Sequence, residues 1–199
     1  MSVVTSIARR GFGLALGLLA AAAVWAQTAT VGQPAPAFEL VDAKGRVVKL
    51  SDFKGRHVVL EWTNPGCPFV LKHYGAQNMQ GLQKEAKAKD VVWLSISSTA
   101  PGHADYLAPG ALAAQYQVWG ASPTALLLDD SGKVGRTYGA RTTPHCFVID
   151  SKGVLRYEGA IDDNKEGKMN YVVNAVKQIK ANETVSPEKT QPYGCGVKY

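Results

Sequence analysis

Residues 58–74 read VVLEWTNPGCPFVLKHY, and this stretch decides the fold. Val58, Val59, Leu60 and Trp62 form an apolar, strand-like run; Asn64, Pro65 and Gly66 make a turn; Cys67 follows it, and Pro68 opens a helical pattern. Proline at the first helical position loses no hydrogen bond, because that N–H has no intrahelical partner, so the spacing predicts Cys67 as the N-cap. A thiol there meets free N–H groups and the positive end of the helix dipole, which favour the thiolate, the form that attacks disulfides or peroxides. The competing reading is a buried thiol acting as a small hydrophobe. The reactive reading is preferred, since the chemistry needs a helix N-terminus and the sequence supplies one.

The chain has 199 residues and a formal net charge of +6. Arg9 and Arg10 precede an uncharged, Leu- and Ala-rich run from Gly11 to Ala26. A basic region, an apolar region and small residues at its end predict a signal peptide over residues 1–26, cleaved after Ala26. Export to the periplasm is the expected destination. A membrane contact is expected only through an uncleaved leader, because the run is shorter than the roughly 20 residues of a bilayer span. Cleavage leaves 20 basic and 16 acidic residues, and no basic block with interleaved aromatics, so no nucleic-acid partner is expected. The remaining residues 27–199 suit one domain with a full core. Three cysteines persist, Cys67, Cys146 and Cys195, and an odd count in an exported protein leaves at least one thiol free or shared between chains. No cysteine pair has zinc-site spacing, and no metal or cofactor is expected.

Upstream of residue 58, Pro34 and Pro36 exclude helix, and two short apolar segments around the turn at Asp42 to Gly45 predict a hairpin. Downstream, a helix is expected to about Lys89, with a kink or break between Gly75 and Gly81. His73 lies about 240° around that helix from Cys67, so it is expected as a polar residue of the helix surface. The run VVWLSI at residues 91–96 reads as a parallel strand covered on both faces. A helix from Pro109, a strand at 124–128, and a short, ambiguous segment at 133–138 stopped by Gly139 come next. In RTTPHCFVID, residues 141–150, Thr143 and Pro144 lead into a strand in which His145 and Cys146 point to opposite faces, and Cys146 is expected as a core thiol. A hairpin at 151–153 joins this to an edge strand at 154–161. Asp162, Asp163 and Asn164 read as a solvated turn, lacking calcium-loop spacing, and a helix spans residues 169–180. The tail, residues 182–199, is interrupted by Pro187 and Pro192 and ends in PYGCGVKY. Cys195 between two glycines is expected to be exposed and free to travel to a partner sulfur; the alternative is a tail tied down by Tyr193 and Val197, with Cys195 incidental.

The segment VGQPAPAFELVDAKGRVVKLSDFKGRHVVLEW, residues 31–62, resembles the opening of the redoxin branch of the thioredoxin superfamily. The resemblance covers residues 31–180 and implies a thioredoxin-like α/β fold: a central mixed β-sheet flanked by helices, with an N-terminal β-hairpin and an irregular C-terminal tail. The domain is expected over residues 27–181, with residues 182–199 as the tail. Thr143-Pro144 resembles the cis-proline loop of that superfamily, which offers backbone to an extended substrate. Thioredoxins carry Cys-x-x-Cys, and this sequence departs from them with Cys67-Pro68-Phe69-Val70. Peroxiredoxins carry a threonine three residues before the reactive cysteine, where this chain has Asn64, and a strand arginine where it has Pro144. Residues 64–74 and the PYGCGVKY ending resemble a peroxiredoxin-like, AhpC/TSA-like group of exported redoxins with a single-cysteine motif.

The activity this implies is thiol–disulfide exchange with protein or small-molecule thiols and disulfides. Cys67 would attack a disulfide held along Pro144, with Thr143 and Pro68 in the substrate contact, and Cys195 or an external thiol would release it. Two alternatives stand beside it: a thiol peroxidase in which Cys195 condenses with oxidised Cys67, and a non-enzymatic scaffold in which the two cysteines form a structural bridge or bind a thiophilic metal such as Cu(I).

Overall fold

The computed structural model describes Met1, residues 28–164 and residues 169–199, so the expected leader lies outside the described residues apart from Met1. Seven strands form one sheet: β1 (Glu39–Asp42), β2 (Val47–Lys49), β3 (His57–Trp62), β4 (Val91–Ser97), β5 (Ala125–Leu128), β7 (His145–Ile149) and β8 (Leu155–Gly159). Their order is β2-β1-β5-β4-β3-β7-β8. The stretch that opens on Val58 thus supplies the central strand, parallel to β4 and antiparallel to β7. The sheet is mixed, the N-terminal hairpin β1–β2 joins it through β5, and β8 closes the other edge, as the sequence predicts.

Alternation along β3 feeds two cores. Val58, Leu60 and Trp62 pack on one face with Phe38, Tyr138 and Phe147, and Val59 packs on the other with Val70, Tyr74 and Tyr157. Each such buried side chain contributes about 1.5–3 kcal/mol, and a one-residue slip would exchange the faces of all of them, so the register is firmly set.

Helix α1 (Pro68–Gly75) begins at Cys67, whose φ of −81° and ψ of 123° are those of an N-cap, with Pro68 in the first turn. The expected break falls at Gln77, left-handed at φ 59°, after which α2 (Asn78–Ala88) resumes. Helix α3 (Pro109–Val118) starts at the predicted proline, and the ambiguous segment is a short helix, α4 (Lys133–Tyr138), stopped by Gly139 at φ 65°. Helix α5 (Tyr171–Lys180) starts two residues later than the periodicity suggests, because the Asn170 side chain caps it by accepting the Val173 N–H. Among the described residues no helix is long and apolar enough to cross a membrane.

The tail is irregular except at one place. Two-residue strands β6 (Thr142–Thr143) and β9 (Cys195–Gly196) pair antiparallel, with Thr143 opposite Cys195. Cys195 is therefore half-buried and held in a strand, which corrects the expectation of an exposed, free thiol.

Candidate active site

The turn after β3 is built from its own side chains. Asn64 Oδ1 accepts the Gly66 N–H, the Asn64 carbonyl accepts the Cys67 N–H at 2.9 Å, and Asn64 Nδ2 donates to Asp105 in the loop between β4 and α3. A Cβ on Gly66 would lie 2.7 Å from Asp105 Cγ, so a larger residue here would push the Asp105 side chain from its place beside Asn64. The result places Cys67, only 1% exposed, beneath two partners. Its Sγ lies 3.0 Å from the Thr143 carbonyl oxygen and 2.7 Å from Cys195 Sγ. A disulfide bond is about 2.05 Å, so the two sulfurs stand within a short displacement of bonding.

The pair is electrostatically unequal. Burial pushes the Cys67 thiol up, but the Cys195 thiol, the neighbouring Thr143 and the backbone N–H groups of Val70 and Cys195 together hold it below the ordinary cysteine value. Burial and the neighbouring Cys67 push Cys195 up to about 11. Of the two thiols, Cys67 is therefore the one that ionises more readily, and Cys195 the one that holds its proton more firmly. Cys146 is fully buried, and burial followed by the nearby Glu61 and Asp162 charges drives its thiol well above the usual range, in line with a core thiol.

The tail is fastened on both sides of Cys195. Towards its C-terminal end, Val197 N–H donates to the Arg141 carbonyl, Ala100 N–H to the Lys198 carbonyl, and Tyr199 O–H to the Ala140 carbonyl. Towards its N-terminal end, Tyr193 lies edge-on to Phe69 and bonds His73 and Asp162. The expectations for those two residues are corrected here: His73 is 4% and Asp162 8% exposed, because Tyr193 folds back over helix α1 and covers them. The Asn78 amide can only donate to His73 Nδ1, so Nε2 carries the ring proton and donates to the Tyr193 oxygen, whose own hydrogen goes to Asp162 Oδ1. Burial lowers the His73 pKa, which agrees with this neutral ring.

Of the residues proposed from sequence, Cys67, Thr143 and Cys195 are in direct contact. Pro144, buried and joined to Thr143 by a cis peptide bond, and Pro68, exposed, are the next residues along the chain. Sequence reasoning missed Glu61. It is fully buried in β3, where Trp93 Nε1, Ser95 Oγ and Tyr74 O–H donate to its carboxyl group, and burial raises its pKa despite them. A lone acid within an otherwise apolar strand is the signal that could have found it.

This fold, with a cysteine at a helix N-terminus facing a cis-proline loop, defines a redoxin of the thioredoxin superfamily. Residues 31–158 match the AhpC/TSA family, and the chain belongs to that family. It is 27% identical to the thiol-disulfide oxidoreductase ResA of Bacillus thuringiensis subsp. konkukian over 142 residues, 71% of this chain and 76% of that one. A hypothetical protein of Sinorhizobium meliloti 1021 has a similar structure, with a TM-score of 0.77 and 24% identity over 87% of this chain and 96% of that one. A protein assigned as the thiol:disulfide interchange protein DsbE of Chlorobium tepidum superposes with a TM-score of 0.55 and 26% identity, over 66% and 85% of the two chains. At a coarse level the chain is thus thiol-disulfide oxidoreductase-like.

Proposed function

We propose that the protein is an exported thiol-disulfide oxidoreductase in which Cys67 is the nucleophile and Cys195 resolves. The observation that carries this reading is the 2.7 Å between the two sulfurs, achieved across 128 residues of chain. Closing so long a loop would cost several kcal/mol from a free tail, and here that ordering is already met by the contacts of Tyr193, Val197 and Tyr199. The Cys67 thiolate attacks one sulfur of a substrate disulfide; a bond forms between them and the other substrate sulfur leaves as a thiolate. Cys195 then gives up its proton and attacks Cys67, forming the Cys67–Cys195 bond and releasing the second substrate thiolate. The substrate gains two electrons, and the protein is left oxidised.

In the closed form β9 occupies the edge of Thr143, so a disulfide-bearing substrate takes that place when the tail lifts, beside Pro144, Pro68 and the exposed Phe69 and Leu71. The substrates are protein or small-molecule disulfides. The organisation that goes with this function is a leader over residues 1–26 cleaved after Ala26, a redoxin domain over 27–181, a tail over 182–199, and a periplasmic location where such bonds persist.

The test is non-reducing peptide mapping of the purified protein after equilibration in glutathione buffers, paired with reduction of a disulfide peptide. Exchange predicts a Cys67–Cys195 bond that opens in the glutathione range, no turnover with Cys67→Ser, and a trapped mixed disulfide on Cys67 with Cys195→Ser. A bond that resists reduction below about −300 mV would make it a structural bridge and end this reading. Consumption of hydrogen peroxide far faster than of disulfides would replace it with a peroxidase.

A further inference from the structure

A second site lies at the far end of the central strand, and we propose that it binds a small carboxylate with an apolar body, of the kind a medium-chain fatty acid represents. Strand β3 runs from His57 to Trp62 and so toward Cys67, whereas residues at its start line a cavity of about 390 Å³. The length of the strand, roughly 17 Å, separates this cavity from the thiol pair. None of its lining residues takes part in the contacts of Cys67, Thr143 or Cys195.

Segments distant in sequence enclose the cavity: the arm before β1, the 3-10 turn Leu50–Phe53, and the turn between β7 and β8. Backbone hydrogen bonds tie them together. Ala35 N–H donates to the Gly153 carbonyl at 2.8 Å, Leu50 N–H to the Phe38 carbonyl at 3.2 Å, and Arg56 N–H to the Phe53 carbonyl at 3.0 Å. The walls are therefore in place without a ligand, and the volume is that of a small-molecule pocket. Val58 and Ile149, both almost fully buried, form its floor, and the half-buried Ala35, Leu50 and Phe53 its sides. This lining suits a hydrocarbon body.

Charge at the rim specifies the head group. Lys54, Arg56 and Lys152 line the same cavity against a single acid, Asp150. Asp150 is already engaged: its Oδ1 accepts the Lys152 and Val154 N–H groups, and its Oδ2 accepts Arg156 Nε. The ammonium groups of Lys54 and Lys152 have no partner among the described residues. Arg56 pairs through Nη2 with Asp90, which is 82% exposed, but its Nε is buried and donates to nothing among the described residues. A buried donor without an acceptor forfeits its hydration for no return. A carboxylate in the cavity supplies that acceptor, offsets the excess of positive charge, and lays its chain on Val58, Ile149 and Phe53. An alkyl cation would gain only the apolar contact, and a small anion such as acetate only the charge.

The experiment titrates the purified protein with decanoate, kept below its micelle concentration, and follows backbone amide NMR shifts and the melting temperature. The expected result is saturable, single-site binding with shifts centred on residues 35–37, 50–58 and 149–153, and a melting temperature that rises with decanoate concentration. Decyltrimethylammonium and acetate should each bind at least ~tenfold more weakly. Arg56→Lys keeps the charge but removes Nε, and should weaken decanoate at least ~tenfold. Lys54→Glu and Lys152→Glu, both at exposed turn positions, should each weaken it at least ~threefold at low salt and leave disulfide exchange unchanged. Circular dichroism of each variant separates loss of binding from loss of fold. Absence of saturable binding, shifts scattered over the surface, equal affinity for the alkyl cation, or undiminished affinity in a folded Arg56→Lys protein overturns the proposal.

Discussion

His73 Nε2 lies 2.9 Å from the Tyr193 hydroxyl, so the helix that starts at Cys67 is bonded to the tail that ends over Cys67. Tyr193 also lies edge-on to Phe69 of the same helix, and its hydroxyl donates to Asp162. Tyr193→Phe keeps the ring packing but leaves His73 Nε2 and one oxygen of Asp162 without this partner. Stranding such groups costs about 1–3 kcal/mol, nearly all of it relieved when the tail lifts and water enters. The open population, and with it the rate at which iodoacetamide alkylates Cys67, should rise roughly tenfold. Mass-spectrometric alkylation kinetics at Cys67 check this; an unchanged rate would mean that the tail is held by its other contacts.

Gly194 sets the register that brings Cys195 onto Cys67. Its φ of +136° suits glycine alone, and a Cβ there would overlap the Thr143 carbonyl, lying 2.8 Å even from the carbonyl carbon. Gly194→Ala should therefore unseat β9 from β6, with a cost on the order of 1–3 kcal/mol for backbone strain of this kind. The expected outcome is a Cys67–Cys195 bond that forms at least ~tenfold less favourably against glutathione. Gly196→Ala is the control, since nothing lies within 4 Å of a Cβ at that position. Equal glutathione equilibria for the two variants would contradict the assigned register.

The sheet was legible because its strands are written in local apolar runs. VVLEW and VVWLSI each have enough buried residues to declare themselves, and Pro68, Pro109 and Gly139 mark helix ends through their own backbone chemistry. The helix-capping place of Cys67 and the strand entry at Thr143-Pro144 were legible for the same reason. What the sequence did not disclose depends on contacts between distant segments. Helical geometry relates His73 to its own helix, but it is Tyr193, 120 residues later, that buries it. Cys195 between glycines has the local look of a free segment, and only pairing with Thr143 makes it a strand. Glu61 was hidden by its setting, because tolerance of a carboxyl group at that point depends on donors from Tyr74, Trp93 and Ser95 on other elements.

The three thiols should titrate separately. Followed by ultraviolet thiolate absorbance in the reduced protein, Cys67 should ionise below the ordinary cysteine value and Cys195 near 11, while buried Cys146 contributes no step in that range. The proton donated by Cys195 is one of the causes that hold Cys67 down. Cys195→Ser retains a donor and Cys195→Ala does not, so the Cys67 midpoint should be higher in the alanine variant. Coincident midpoints would show that the helix N-terminus, and not the facing side chain, carries the shift.

His145 makes folding stability depend on pH beside the same loop. It is 3% exposed, its Nδ1 accepts the Arg141 N–H at 3.2 Å, and burial, helped by the Arg141 charge, lowers its pKa to about 3. In the unfolded chain it binds its proton near pH 6.5. Between those values the unfolded state holds the additional proton, so the contribution of His145 is fully present above about pH 6.5 and is lost as the pH falls toward 3, at about 1.4 kcal/mol per pH unit. Burial lowers His57 and His73 as well, and they steepen the same limb. Urea unfolding between pH 7 and pH 4 should therefore show stability falling with acid, and His145→Gln should reduce the slope by the equivalent of about one proton. A slope identical in the variant would mean that His145 takes up its proton in the folded state without penalty, which its burial and its acceptor role toward Arg141 N–H both oppose.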